Sequence, residues 1–340
     1  MPRHPRIDGP DTWHHVMNRG LARRTIFESE HDIRTFLSRL ALAVRAGLLE
    51  VHAFCFLTTH FHLLVRSPEG ELSNAMQRVQ NEYSRWFNRA RRRDGPLFRS
   101  RFRSRCVQSI AYREHLVRYI DFNAVSAGLV ETPGLYPHGS ARWYAQPRGP
   151  IWMCRAWIEE TVRRSGAAGS CGPREYASVF GEPVSAGLAR LIERRIELSK
   201  EAEDPLDDLL GAARGKLLDW MRRKAQLADG TSVGLPVCDP DDVARVIAEA
   251  RSAEGDWRVA ASRKSVCAWP QLQTALLRDL CGSSWEEIGT RTGVSLNGAR
   301  KAYQRHRDCI GDLAEYGERS AVLAAQALGR CYRTVPRANG

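Results

Sequence analysis

Apolar positions change period several times along the first 130 residues. Residues 12–18 (TWHHVMN) read as a short strand, ended by Arg19-Gly20. Residues 30–47 carry apolar side chains at Ile33, Phe36, Leu37, Leu40 and Val44, the stripe of an amphipathic helix. Residues 49–57 alternate, with Val51, Ala53, Cys55 and Leu57 inward, and residues 60–66 alternate again through Phe61, Leu63 and Val65. Only Thr58-Thr59 separates these two strands, which suits a tight hairpin. Residues 71–92 are helical through Leu72, Met76, Val79, Tyr83 and Phe87, and run into an Arg-rich turn, RRRDG, at 91–95. Residues 102–109 predict a strand and 111–127 a helix that buries Leu116, Val117 and Ile120, with Gly128 at its C′ position. The order strand, helix, strand, strand, helix, strand, helix predicts an α+β domain: a ferredoxin-like antiparallel sheet with helices packed on it.

Residues 131–180 lose this periodicity and hold Pro133, Pro137, Pro147, Pro150 and Pro173, as a linker or a loop-rich wrap over the first domain would. From about residue 185 the pattern is all helical, at 185–200, 205–226, 239–253, 269–281, 284–292 and 295–307. The Ala-rich last 30 residues predict one more helix and a loose tail. The expected organisation is a domain at 1–145, a loop-rich linker at 146–184 and an all-α region at 185–335.

Charge placement adds a partner. The net charge is +12, but residues 1–150 hold 23 Arg and no Lys against 13 acidic residues, a net +10, which leaves +2 for the other 190. Codon bias explains Arg over Lys, but not an excess confined to one half. A localised positive field points to a polyanion. Residues 91–105 hold seven Arg with Phe98 and Phe102 between them. Arg on phosphates and bases on aromatic rings is how single strands are held; here the expectation is buried Phe and exposed Arg. No run of 18 apolar residues occurs, so no membrane partner is expected, and without an apolar leader the expected location is cytoplasmic. Nine scattered cysteines form no CxxC pair, which argues against a zinc ribbon or a thioredoxin-like centre, and an odd count in a chain this long argues against a disulfide framework; most are expected to be small buried hydrophobes.

The candidate chemistry lies at His60 and His62, two apart on a strand and so on one face, where two imidazoles can share a divalent ion. Tyr119 and Asn123 are spaced i, i+4 on a helix. An Asn carbonyl oxygen can be a third ligand, and a Tyr one turn away faces the same ion. A phenol, with a free pKa near 10, is a poor nucleophile unless the phosphoryl charge is stabilised, which a metal can do. Tyr112 competes for this role, but Leu116, four residues on, cannot bind metal, so Tyr112 is read as a packing residue. Candidate DNA contacts in this half are Arg19, Arg91, Arg92, Arg93, Arg99, Arg101 and Arg103, and Asn18 and Gly20 are either contacts or a plain strand-end turn.

Four blocks in order, HHVMNRG at 14–20, AFCFLTTHFHLLVR at 53–66, NEYSRWFNRARRRDGPLFRSRF at 81–102 and LVRYIDFNAVSAGLV at 116–130, resemble the REP-associated tyrosine transposases, single-tyrosine enzymes of the HUH type. The resemblance runs from about residue 12 to 145. It implies Mg²⁺ or Mn²⁺ held by His60 and His62, with Asn123 completing the site and Tyr119 forming a 5′-phosphotyrosine. It implies single-stranded DNA hairpins of palindromic repeats as substrate, and a homodimer. Two positions depart from the family pattern. Thr58-Thr59 stands where Pro-Asn is usual, and Asn-Ala-Val-Ser at 123–126 where Asn-Pro-Val-Arg is usual. The second change either reshapes the end of the tyrosine helix or removes a DNA contact.

Residues 284–306 (SWEEIGTRTGVSLNGARKAYQRH) have helix-turn-helix form, with Ser283 or Ser284 as a cap, Gly293 at the turn and Ser295 capping the second helix. That helix would present Asn297, Arg300, Lys301, Gln304 and Arg305 to double-stranded DNA. Residues 272–307 resemble the DNA-binding end of bacterial replication initiators, a module found appended to long REP-associated transposases. The expected function is a metal-dependent endonuclease and transposase. A domesticated DNA-binding regulator that keeps the palm without the chemistry is the alternative, motivated by Thr58-Thr59 and Ala124. A hydrolase of small phosphates explains neither the Arg cluster nor the second half.

Overall fold

A computed structural model describes residues 8–165, 171–198, 209, 214–227, 237–261 and 264–332. Parts of the expected helices 185–200 and 205–226, and the tail beyond residue 332, lie outside the described residues. The chain divides into two compact units, Met1–Val184 with Glu193–Asp204, and Ser185–Ile192 with Pro205–Gly340.

The first unit is built on β1 (Pro10–Arg19), α1 (Glu30–Arg45), β2 (Glu50–Leu57), β3 (His60–Glu69), α2 (Leu72–Ala90), β4 (Arg103–Cys106) and α3 (Ile110–Asp121). The sheet order is β2-β3-β1-β4, antiparallel throughout, with the βαββαβ connectivity of a ferredoxin-like fold. Helix α1 opens on a capping box: the Ser29 hydroxyl accepts from the Asp32 N–H and the Asp32 carboxylate accepts from the Ser29 N–H. The β2–β3 hairpin turns on Thr58 and Thr59, with Leu57 paired to His60.

Alternation divides the sheet into two faces. Val16, Phe54, Phe56, Phe61, Leu63 and Val65 share one face, where Phe36 of α1 meets Phe61 and Phe56 at ring-centroid distances of 5.0 and 5.5 Å and Tyr83 of α2 at 5.2 Å. This interlock of aromatic rings is the core behind the sheet. The other face carries His15, Met17, Cys55, His60, His62 and Leu64 and is covered by α3.

Two expectations for the sheet change in detail. A β-bulge at His52 breaks the alternation of β2, so Val51 pairs with Val65 on the core face while Ala53 pairs with Leu64 on the other. The helix expected at 111–127 leaves helical order at Phe122, and a single turn, α4 (Asn123–Ser126), precedes Gly128 at φ +69°. The outer edge of β2 does not face water. Ser140 and Phe54 exchange hydrogen bonds through Phe54 N–H to Ser140 Oγ (2.9 Å) and Ser140 N–H to Phe54 O (2.8 Å), and Cys154 N–H donates to Val51 O at 2.9 Å. An edge covered in this way offers no template for pairing with another chain.

Residues 146–184, expected to be loop-rich, hold two further helices after α5 (Ala141–Tyr144): α6 (Ala156–Ser165) and α7 (Pro173–Phe180). Each is three turns or shorter, too short for its apolar stripe to stand out among the prolines and glycines. Next come α8 (Ala186–Leu198), α9 (Arg214–Leu227) and α10 (Pro240–Glu254). The rest is α11 (Trp269–Asp279), α12 (Trp285–Thr292), α13 (Leu296–Asp312) and α14 (Ala314–Tyr332). Among the described residues, this helical region also holds a hairpin, β5 (Arg258–Ala261) with β6 (Lys264–Cys267), between α10 and α11. Ser284 caps α12 in a capping box with Glu287, Gly293 ends it in the left-handed region at φ +71°, and Ser295 caps α13 through the Gly298 N–H at 3.1 Å.

Candidate active site

The register of all four strands assembles one patch at the hairpin end of the sheet. Arg19 pairs with His60 and His60 with Leu57; Arg103 pairs with Met17, Met17 with His62, and His62 with Cys55. Directly paired residues lie on the same face, so His60, His62, Arg19 and Arg103 all face α3. The His60 and His62 rings are 5.3 Å apart. Helix α3 starts at the Ser109 cap and runs across this face, burying Leu116, Val117 and Ile120. It delivers the half-buried Tyr119 edge-on to His62, at 5.4 Å between ring centroids. Asn123 follows at the break after Phe122, its side-chain N–H donating to Tyr119 O at 3.3 Å.

His15 is the residue that sequence reasoning passed over. It lies diagonally across from His62 on β1, fully buried, with its Nε2 2.9 Å from His62 Nδ1 and its ring 5.9 Å from Tyr119. His60 is tied in the same way at the same atom, its Nδ1 lying 3.0 Å from the Thr59 hydroxyl. Thr59 thus orients the first histidine of the pair.

Electrostatics keep the imidazoles neutral. Burial lowers the pKa of His60, hydrogen bonding with the Asn123 side chain draws it back up, and the Arg19 charge lowers it further. His62 is held well below its ordinary value by burial and then by His15 and His60. Burial alone takes His15 down to about 3. A metal needs neutral imidazoles, and each of the pair has Nδ1 engaged by a partner, which leaves Nε2 as the donor. With the Asn123 side chain within hydrogen-bond reach of His60, the donor set fits a hard or borderline divalent cation.

The Arg residues separate into groups. Arg92, Arg99 and Arg101 are exposed, Arg93 half-buried, and Phe98 and Phe102 buried, the division between rings and guanidinium groups expected of this stretch. Arg91 departs from that expectation. Its guanidinium binds Glu28 at 2.7 Å and both oxygens of buried Asp32 at 2.9 and 2.7 Å, and lies 3.8 Å over the Phe87 ring. It joins α2 to the start of α1, because buried Asp32 needs a cation more than a surface phosphate does. Tyr112 is fully buried in the core under α3. In the second unit, Arg300, Lys301 and Arg305 are exposed together with Asn297 and Gln304 along α13, while Ala299, Tyr303, His306 and Ile310 are buried on its other side. Of the eight described cysteines, Cys55, Cys238 and Cys309 are buried and the others half-buried, fewer than expected.

No curated protein matches the chain in sequence. Among solved structures, that of a REP-associated tyrosine transposase bound to a REP hairpin is similar to it, at 20% identity and a TM-score of 0.37, over 45% of this chain and 92% of that one. The family model described as IS200-like transposase matches residues 10–123. That stretch opens on the first residue of β1 and closes on Asn123, so it takes in the whole sheet, the helices behind it and the helix that carries Tyr119. Residues 10–123 are thus similar to the IS200-like transposases.

Proposed function

We propose that the first unit cleaves and rejoins single-stranded DNA, with Tyr119 as the nucleophile and with His60, His62 and Asn123 holding Mg²⁺ or Mn²⁺. The observation that carries this reading is the convergence of two neutral imidazoles, an amide and a phenol, drawn from a hairpin and a helix far apart in the chain. A bound divalent ion supplies Lewis-acid stabilisation of the phosphoryl charge at this site. The protein's own groups do the rest. His15 and Thr59 fix the two ring orientations, and the rigid α3 presents the Tyr119 ring beside His62. The phenolic oxygen forms the bond to phosphorus, the bond to the 3′ oxygen breaks, and that oxygen leaves as a free hydroxyl while the 5′ phosphate stays on the tyrosine. Rejoining is the reverse attack by a 3′ hydroxyl, so the energy of the phosphodiester is retained in the phosphotyrosine.

The exposed Arg92, Arg99 and Arg101 and the half-buried Arg93, with Arg19 and Arg103 beside the histidine pair, form the phosphate-binding surface for the strand. Hairpin repeats are the substrate that the sequence resemblance implies. In the second unit, α12 and α13 with the turn 293–295 act as a helix-turn-helix, presenting Arg300, Lys301 and Arg305 to duplex DNA. The test is a labelled hairpin oligonucleotide incubated with the protein and Mn²⁺. A covalent protein–DNA adduct is expected, with none in the Tyr119→Phe variant or in the presence of a chelator. Salt-sensitive binding with no adduct under any condition would identify a regulator that lacks the chemistry.

A further inference from the structure

A second cluster of ligand-type side chains lies at the opposite end of the same sheet face, away from Tyr119. One ligand atom each from Glu50, His52 and Cys154 all lie within 4.8 Å of one another. Three local features bring them together. The β-bulge at His52 re-aims that side chain, placing its ring 4.2 Å from Trp13. Glu50 is two residues away on the same strand. Cys154 is fastened to β2 by its own N–H on Val51 O at 2.9 Å, beside a parallel bridge between Val51 and Met153. His52 is 1% exposed, and neither ring nitrogen completes a hydrogen bond; Nε2 approaches Glu50 Oε2 only to 3.4 Å. A buried imidazole with both nitrogens unsatisfied is costly, and a shared cation is one remedy.

We propose that Glu50, His52 and Cys154 form a structural site for a borderline-soft divalent cation of the Zn²⁺ type, separate from the histidine pair and independent of the transposase reading. The donor set of one carboxylate oxygen, one imidazole nitrogen and one sulfur suits Zn²⁺, whose tetrahedral ligands stand about 3.3–3.8 Å apart. Closing from within 4.8 Å takes side-chain rotation on the order of 1 Å. Burial and the Glu50 charge raise the pKa of the Cys154 thiol, so capture of the ion releases one proton from sulfur to water. Arg66 donates to both oxygens of Glu50 at 3.2 and 3.1 Å, and a carboxylate has lone pairs for both partners. Glu50 and Cys154 are each half-buried, which leaves the ion a way in. Bound there, the ion clasps the segment around Cys154 onto the outer edge of β2 and holds that edge closed.

The probe is Co²⁺ added to the full chain and then displaced by Zn²⁺. A thiolate-to-cobalt charge-transfer band is expected at one equivalent, because the ligand set proposed at the histidine pair, His60, His62 and Asn123, contains no sulfur. The band should persist in a His60→Asn/His62→Asn variant and disappear in Cys154→Ser with the circular dichroism unchanged. Glu50→Gln, a change at a half-buried position, should weaken Zn²⁺ binding by roughly tenfold or more. The proposal is overturned if the wild-type chain shows no thiolate band, if the band survives Cys154→Ser, or if Zn²⁺ affinity is the same in Glu50→Gln.

Discussion

His15 Nε2 and His62 Nδ1 lie 2.9 Å apart inside the sheet face that receives Tyr119. Fixing one ring nitrogen fixes the tautomer and the aim of the other, which is how the outer partners of metal-ligating histidines act. His15→Gln should therefore raise the Mn²⁺ concentration needed for half-maximal adduct formation by roughly ten- to a hundredfold. Excess Mn²⁺ should restore much of the yield. A variant that folds and shows an unchanged Mn²⁺ titration would remove His15 from the site.

Arg91 and its neighbours should separate in opposite assays. Arg91→Ala leaves the Asp32 carboxylate buried without its cation and is expected to cost about 3 kcal/mol in urea unfolding. Arg99→Ala and Arg101→Ala should leave stability unchanged and weaken hairpin binding, each lowering the slope of log affinity against log salt by about 0.7. Equal stability for all three variants would contradict the assignment of Arg91 to the fold.

Acid should destabilise the second unit through His306. This imidazole is fully buried beside Tyr316, with its Nδ1 2.9 Å from the Tyr316 hydroxyl, and burial takes its pKa down to about 3. The unfolded chain binds a proton there below pH about 6.5 and the folded chain does not, so stability is lost as pH falls from about 6.5 toward 3. The slope is at most about 1.4 kcal/mol per pH unit for this one group. His306→Gln keeps a partner for Tyr316 and should flatten the loss between pH 6.5 and 5 measured by urea midpoints. An identical pH profile in the variant would show that His306 does not contribute.

The two units should also separate by substrate. Replacing Arg300, Lys301 and Arg305 with Ala removes three exposed cations from α13 without touching its buried side. Duplex DNA binding, followed by fluorescence anisotropy, is expected to fall, while adduct formation on a hairpin continues at the wild-type rate. Unaltered duplex binding would discount α13 as a reading helix.

Much of the first unit was legible because its signals are local. The period changes at β2, β3 and α2 place the hairpin and the helices, and the two-residue spacing of His60 and His62 needs only the alternation of a strand. What was hidden depends on register and on distant contacts. His15 differs from any core histidine only because β1 aligns Met17 with His62, which sets His15 on the diagonal. The role of Thr59 depends on the rotamer of the next residue. Cys154 looked like one more scattered thiol, because the bridge that brings it to His52 joins residues about a hundred positions apart. Arg91 looked like part of a basic run, and its two acidic partners lie at the start of α1, before the β2–β3 hairpin and α2. The short β5–β6 hairpin has four residues per strand, too few for an alternating pattern to stand out between helices.

The most direct measurement is to locate the nucleotide on the protein after reaction with a hairpin oligonucleotide and Mn²⁺. Trypsin cuts after Arg118, so Tyr119 begins one peptide and Tyr112 ends in another, before Arg113. The expected result is a nucleotide-bearing peptide that starts at residue 119, with fragmentation placing the added mass on Tyr119. Nucleotide mass on the Tyr112 peptide, or on any other residue while Tyr119 stays unmodified, would contradict the assignment.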